Sequence, residues 1–337
     1  MIRVLSIDGG GIRGILPSQM LTKLEYLVKS KTGNTSAKIG DYFDMIAGTS
    51  TGGILAAFLL CPSPDGKARY TAEEAVSIYL AKGEDIFKNS STKLVESPTG
   101  EFDEKYISEN LEHILKDKLG EDLWLSDLIK PCLITAYDLE NKKAIFFNKL
   151  KASESNHDFK VWQVARATSA APTYFETAKI ENRLGDKFSL IDGGVFAKNP
   201  SLCAYLEAHQ NFKNSNSEKV TAKDIFMVSL GTGSNQKPFS FDEVECWGGV
   251  DWTKPSVDMM MSGSTETIDF QLKQIFASED VSSQYVRIEP KTGTSDLSMD
   301  NASKKNLEAL KLAGENSAND FEGNLNFIAD QIIKGSY

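Results

Sequence analysis

Apolar and β-branched residues fill Ile2–Ile7 and stop at Asp8-Gly9-Gly10-Gly11, after which Leu16, Met20, Leu24, Leu27 and Val28 recur at helical spacing. The pattern predicts a strand, a glycine-rich turn and an amphipathic helix. Residues 43–47 make a second short apolar run, which turns at Gly48-Thr49-Ser50-Thr51-Gly52-Gly53 into an apolar stretch ended by Pro62. The same order is expected there. Thr71 and Glu74 have capping-box spacing and open a helix whose buried face reads as Val76, Tyr79, Leu80 and Phe87; a similar helix is expected over 104–119. Between them, residues 88–103 are rich in Ser, Thr, Lys and Glu and read as an exposed loop, with a lid as the functional alternative.

Further along, 132–139 and 144–148 read as a hairpin joined through 140–143, and 161–171 as a helix stopped by Pro172. Residues 188–191 form a strand ending at Asp192-Gly193-Gly194, and Asn199-Pro200 supplies an N-cap and an N1 proline for the next helix. A last strand spans 225–230, with Gly231-Thr232-Gly233 beyond it. Alternating strands and helices imply an α/β fold of three layers, α/β/α, with a largely parallel central sheet covered on both faces. No linker or internal repeat divides the chain, so a single domain over 1–337 is expected.

Composition narrows the function. Forty-seven acidic against thirty-seven basic residues give a net charge of −10, which repels nucleic acid and argues against a nucleic-acid polymer as partner. No stretch approaches the roughly 20 apolar residues of a spanning helix. Cys61, Cys132, Cys203 and Cys246 are far apart, signal neither a zinc site nor a disulfide framework, and read as free thiols in a reducing compartment. Met1 runs straight into the first strand without a basic region and a long apolar run, so no secretory signal is read and the expected compartment is cytoplasmic.

Gly9-Gly10-Gly11-Ile12-Arg13-Gly14 matches the dinucleotide-binding pattern G-x-G-x-x-G, but no second strand ending in an acidic residue follows about 20 residues on. Asp8 would also sit badly beside a pyrophosphate. Three consecutive glycines are better used to aim bare backbone N–H groups at one point, as an oxyanion hole requires. Gly48-Thr49-Ser50-Thr51-Gly52 fits G-x-S-x-G, whose small residues let a strained strand-to-helix turn present a serine, making Ser50 the candidate nucleophile. A serine needs a base, yet His113, His157 and His209 all fall at positions that read as surface or packing. Asp192 ends an apolar strand and precedes two glycines, so it is the candidate base. Ligands of open α/β sheets bind beyond the carboxyl ends of the strands, where the Gly9–Gly11 turn, Ser50 and Asp192 are expected to emerge together. Phe239, Phe241, Trp247 and Trp252 are candidates for contact with an interface, whereas Met260, Ile268, Leu272 and Ile275 keep helical spacing and read as core.

Asp8-Gly9-Gly10-Gly11-Ile12-Arg13-Gly14, the G-x-S-x-G turn and the late Asp192-Gly193-Gly194 stand in the order of the patatin-like phospholipase family, which the chain resembles over nearly its whole length. Residues 166–172, Asn199-Pro200 and 247–272 extend the likeness. The resemblance implies a patatin-like fold and a phospholipase A-type lipid acyl hydrolase acting on membrane phospholipid at the bilayer surface. It also implies a serine–aspartate dyad of Ser50 and Asp192, an oxyanion hole of Gly9, Gly10 and Gly11, and neither metal nor other cofactor. Arg13 stands where the family has Arg or Lys, either to orient the turn or to meet a phosphate headgroup. Two alternatives share the dyad: a thioesterase or esterase, and a defence effector gated by a cyclic nucleotide. The mechanism further calls for a desolvated Asp192 with a raised pKa.

Overall fold

In the computed structural model, which describes residues 1–87, 108–234 and 239–334, the first two apolar runs form strands β1 (Ile2–Ile7) and β2 (Met45–Thr49). The remaining strands are β3 (Cys132–Asp138), β4 (Lys143–Asn148), β5 (Ala178–Glu181), β6 (Lys187–Asp192), β7 (Ile225–Leu230) and β8 (Tyr285–Ile288). The helices are α1 (Ile15–Thr32), α2 (Thr51–Leu59), α3 (Ala72–Ile86), α4 (Ser108–Leu119), α5 (Val161–Thr168), α6 (Gly194–Ala197), α7 (Ser201–Asn211), α8 (Phe241–Val244), α9 (Gly249–Ser278), α10 (Lys304–Asp320) and α11 (Glu322–Ile333). The expected loop or lid at 88–103, and residues 104–107 of the expected helix, lie outside the described residues.

One eight-stranded sheet runs in the order β5-β6-β3-β2-β1-β7-β8, with β4 also paired to β3. The five strands β3-β2-β1-β7-β8 are parallel. Because successive strand side chains face opposite sides, Leu5, Ile7, Ile46 and Val228 enter one core, together with the buried stripe of α1 and the apolar faces of α2 and α5. Val4, Met45, Ala47 and Met227 enter the other, against Ala204 and Tyr205 of α7 and Leu272 and Phe276 of α9. Helices on both faces complete the three layers. The capping box of α3 is present: the Glu74 N–H donates to the Thr71 hydroxyl, and the Thr71 N–H donates to the Glu74 carboxylate at 2.8 Å.

The sheet departs from the expected parallel order at one side. Both β4 and β6 run antiparallel to β3, and β5 and β6 form an antiparallel pair across a short connection that holds no crossover helix. The third strand-turn-helix unit is therefore not a parallel repeat of the first two. Along one edge of β3, β4 pairs with residues 133–138; the other edge is divided, β2 taking 132–135 and β6 taking 136–138 from the opposite direction. Strands β2 and β6 thus meet nearly end to end.

Three local expectations shift. Helix α5 stops at Thr168 rather than at 171, because the backbone turns so that the Ala170 carbonyl accepts the Asp192 N–H at 2.9 Å. Helix α7 begins after Pro200, and Asn199 caps it from one residue further out by accepting from the Ser201 N–H at 3.0 Å and from its hydroxyl at 2.6 Å. Met260, expected in the core, is 70% exposed, since only the later part of the 30-residue α9 packs on the sheet. Leu272 there is fully buried, and Ile268 and Ile275 are partly buried against it.

Candidate active site

Ser50 sits between β2 and α2 with φ 55° and ψ −124°, a backbone region that costs a non-glycine residue of order 1–3 kcal/mol. Its glycine neighbours make the turn possible. A methyl group on Gly48 would lie 2.1 Å from the Gly52 carbonyl oxygen, and one on Gly52 would lie 2.1 Å from that of Ile7. The spacing of G-x-S-x-G is thus a packing requirement, because strand and helix backbones pass too close for any side chain. The Ser50 N–H donates to the Thr168 hydroxyl at 2.9 Å.

The divided edge of β3 brings the second residue in. Thr49 is the register partner of Thr135, and the next residue of β3, Ala136, is the partner of Asp192. Ser50 and Asp192 therefore stand at the same level. Asp192 is buried, its carboxylate accepts the Gly194 N–H at 2.7 Å, and the Ser50 hydroxyl lies near enough to favour its ionised form. Burial pushes the Asp192 pKa up to about 7, against the opposite pull of the Ser50 hydroxyl and the Gly194 N–H. An aspartate so placed is available as a base near neutral pH.

The glycine turn closes the third side. A methyl group on Gly9 would lie 3.2 Å from the Ser50 Cβ, so turn and elbow touch. The Gly9 N–H is taken by the Lys198 carbonyl at 2.9 Å, whereas those of Gly10 and Gly11 have no protein acceptor among the described residues. Gly11 has φ 59°, and a methyl group there would strike the Met299 carbonyl oxygen at 2.2 Å. Arg13 does not line the cavity; its guanidinium donates to the carbonyls of Gly10 at 3.1 Å and Gly233 at 3.3 Å. One of those carbonyls belongs to the glycine turn itself. Asp8 anchors the turn from below through two bonds from Arg287, at 2.9 and 2.7 Å.

Hydrogen bonds tie the three turns together. The Thr49 hydroxyl donates to the Ala197 carbonyl at 2.6 Å, and the Thr232 hydroxyl to that of Gly9 at 2.9 Å. A cavity of about 810 Å³ opens over Gly9, Gly10, Gly11, Ser50 and Asp192. One wall is apolar and deep, made by Ile54, Tyr79, Ile86, Leu111, Leu115 and Phe175, and the outer wall includes Val195, Met260 and Met261. None of the three histidines lines it. Sequence reasoning missed Thr168 and Ala170, which hold the backbones of Ser50 and Asp192, and Lys198, which lines the cavity. The stretch 166–172 stood out as part of the family likeness, but its role depends on two partners distant in the chain.

Among the described residues, no helix is long and apolar enough to cross a membrane, and all four cysteines are free thiols. Phe239, Phe241 and Trp252 are exposed, Phe241 by 75%, and Trp247 stacks edge-on between Phe239 and Trp252 with both ring centroids at 4.9 Å.

The family model described as patatin-like phospholipase matches residues 5–204. Patatin-like protein 2 of Arabidopsis thaliana is 34% identical over 94% of this chain and 82% of its own length. Two proteins of Solanum tuberosum, patatin-16 and probable inactive patatin-3-Kuras 1, are each 33% identical over 94% of this chain and cover 83% and 86% of themselves. Overall likeness at this level is shared by a relative named as inactive, so it is the occupants of the site that bear on activity. Among solved structures, VipD from Legionella pneumophila overlaps 98% of this chain and 67% of its own at 12% identity, with a TM-score of 0.39. With a family match over most of the fold and relatives aligned almost end to end, the chain belongs to the patatin-like phospholipase family, which places it among the lipid acyl hydrolases.

Proposed function

We propose that the chain cleaves fatty acyl esters of phospholipids through Ser50 and Asp192 by way of an acyl-enzyme. The observation that carries this reading is a strained serine elbow facing a buried aspartate of raised pKa across the floor of a largely apolar cavity. Asp192 accepts the Ser50 proton as Oγ bonds to the ester carbonyl carbon. The oxyanion that forms receives hydrogen bonds from the Gly10 and Gly11 N–H groups, each such donor being worth about 3 kcal/mol in the transition state. Gly9 shapes the turn and touches Ser50, its own N–H being occupied by Lys198. When the ester bond breaks, Asp192 returns the proton to the leaving alcohol; it then takes one from water as the water oxygen attacks the acyl carbon, and passes that proton to Ser50 Oγ as the bond to the acyl group breaks and the acid is freed.

The deep apolar wall suits an acyl chain, and a cavity of this size lies within the usual range for small-molecule sites. Substrate arrives from a bilayer. Trp252, Met259 and Met260 fall at i, i+7 and i+8 on α9, all exposed, and Met260 lines the cavity mouth. With a net charge of −10, transient peripheral contact is made by this apolar rim rather than by long-range attraction. The test is release of fatty acid from phospholipid vesicles by the wild type, Ser50→Ala and Asp192→Asn. Both variants are expected to be inactive while folded, and unchanged hydrolysis by Ser50→Ala would overturn the reading.

A further inference from the structure

The reading of Arg13 as a headgroup ligand leaves the cavity without its expected cation, because that guanidinium is turned into the carbonyls of Gly10 and Gly233. A different cation lines the space. Lys198 follows α6 and is half-buried, its backbone carbonyl accepts the Gly9 N–H, and the residue lines the cavity together with Gly9, Gly10 and Gly11. Among the described residues, its ammonium makes no hydrogen bond or ion pair. The acidic groups near it are Asp8 and Glu289, and both are already committed to Arg287, at 2.7 and 2.6 Å. Arg13 and Arg287 complete the charged surroundings. Burial and the Arg13 charge both disfavour the ammonium form, which a bound anion would reverse. A lysine held in this way, a residue from the oxyanion turn and without a dedicated carboxylate, is short of one negative partner.

We infer that Lys198 binds the phosphate of a glycerophospholipid substrate and sets selectivity for phosphorylated over neutral lipid esters. The inference rests on the proposed Ser50–Asp192 hydrolysis of phospholipid and adds to it the residue that selects for the phosphate. Placement favours the assignment: Lys198 lines the same cavity as Ser50 and Asp192, so an ester seated at Ser50 shares that space with it. A charge-assisted contact of this kind is commonly worth tenfold or more in affinity.

The experiment compares a phosphatidylcholine with a diacylglycerol of the same acyl chains, presented at equal mole fraction in mixed micelles, and reads the ratio of the two kcat/KM values. Lys198→Met and Lys198→Gln should lower that ratio about tenfold, mainly through KM for the phospholipid, and Lys198→Arg should restore most of it. If Lys198 merely supports Asp8 and the turn, both substrates lose activity together; an unchanged ratio in either variant overturns the inference. Ser50→Ala in the same assay separates the two failures. Retained hydrolysis in that variant rejects the proposed chemistry, whereas its loss combined with an unchanged ratio in Lys198→Met rejects only the headgroup assignment.

Discussion

The elbow between β2 and α2 and the end of β6 deliver the two side chains of the proposed dyad in contrasting ways. At the elbow, everything needed lies within a few residues: Gly48 and Gly52 permit the close passage, and Ser50 takes the left-handed backbone. At β6 almost nothing is local. Asp192 is placed by the divided edge of β3, held by the Ala170 carbonyl, and buried by the elements packed around it. Geometry of a nucleophile is a short-range property; reactivity of its base is a long-range one, because desolvation is contributed by every element packed nearby.

The comparison breaks first if the reacting pair is wrong. Ser50→Ala is expected to lower phospholipid hydrolysis by at least about 10⁴-fold with the fold intact, as loss of a nucleophile does elsewhere. The raised pKa gives the next largest effect and the sharpest contrast between activity and stability. Hydrolysis requires ionised Asp192, so kcat/KM should rise about tenfold per pH unit below about 7 and level off above it. Stability should move the other way. Because the folded-state pKa of about 7 exceeds the unfolded value of 3.8, the native state holds the extra proton between those limits and loses stability as pH rises through them. Over about three units this amounts to at most about 4 kcal/mol. Asp192→Asn should therefore be inactive yet melt higher than wild type at pH 8, with little difference at pH 4; equal melting at both pH values would show that burial does not tune this group.

Gly52→Ala probes the local side of the contrast. Its methyl group meets the Ile7 carbonyl of the central strand, so a loss of about 3 kcal/mol in chemical denaturation and collapse of activity are expected. The smallest effect belongs to Thr168→Val, which leaves the Ser50 N–H without its acceptor. A stability loss of about 1–2 kcal/mol, with activity reduced about tenfold, should follow. A neutral result would mean that the elbow holds itself without α5.

Much of this was legible in the chain because the signals are local. The run at 2–7, the stripe of α1 and the Thr71–Glu74 capping box follow from periodicity and side-chain chemistry and appear where expected, while the run at 43–47 forms its strand two residues later, over Met45–Thr49. The direction of β6 was not legible, since a short apolar strand reads alike whether its neighbour is parallel or antiparallel. Met260 misled for a related reason: helical spacing marks one face of α9 but not where that helix leaves the sheet. Arg13 and Lys198 show the same limit. A motif names a cation, while only packing shows that Arg13 turns into carbonyls and that Lys198 borders the cavity.

By itself, the sequence determined the alternation of elements and the glycine-rich character of the three turns, both consequences of periodic and steric rules acting over a few residues. Tertiary structure alone decided that β2 and β6 share one edge of β3, that Asp192 is dry enough to titrate near 7, and which N–H groups and which cation remain for a ligand. Burial and the pairing of hydrogen-bonding groups are set by segments far apart in the chain, so they exist only once the layers have packed.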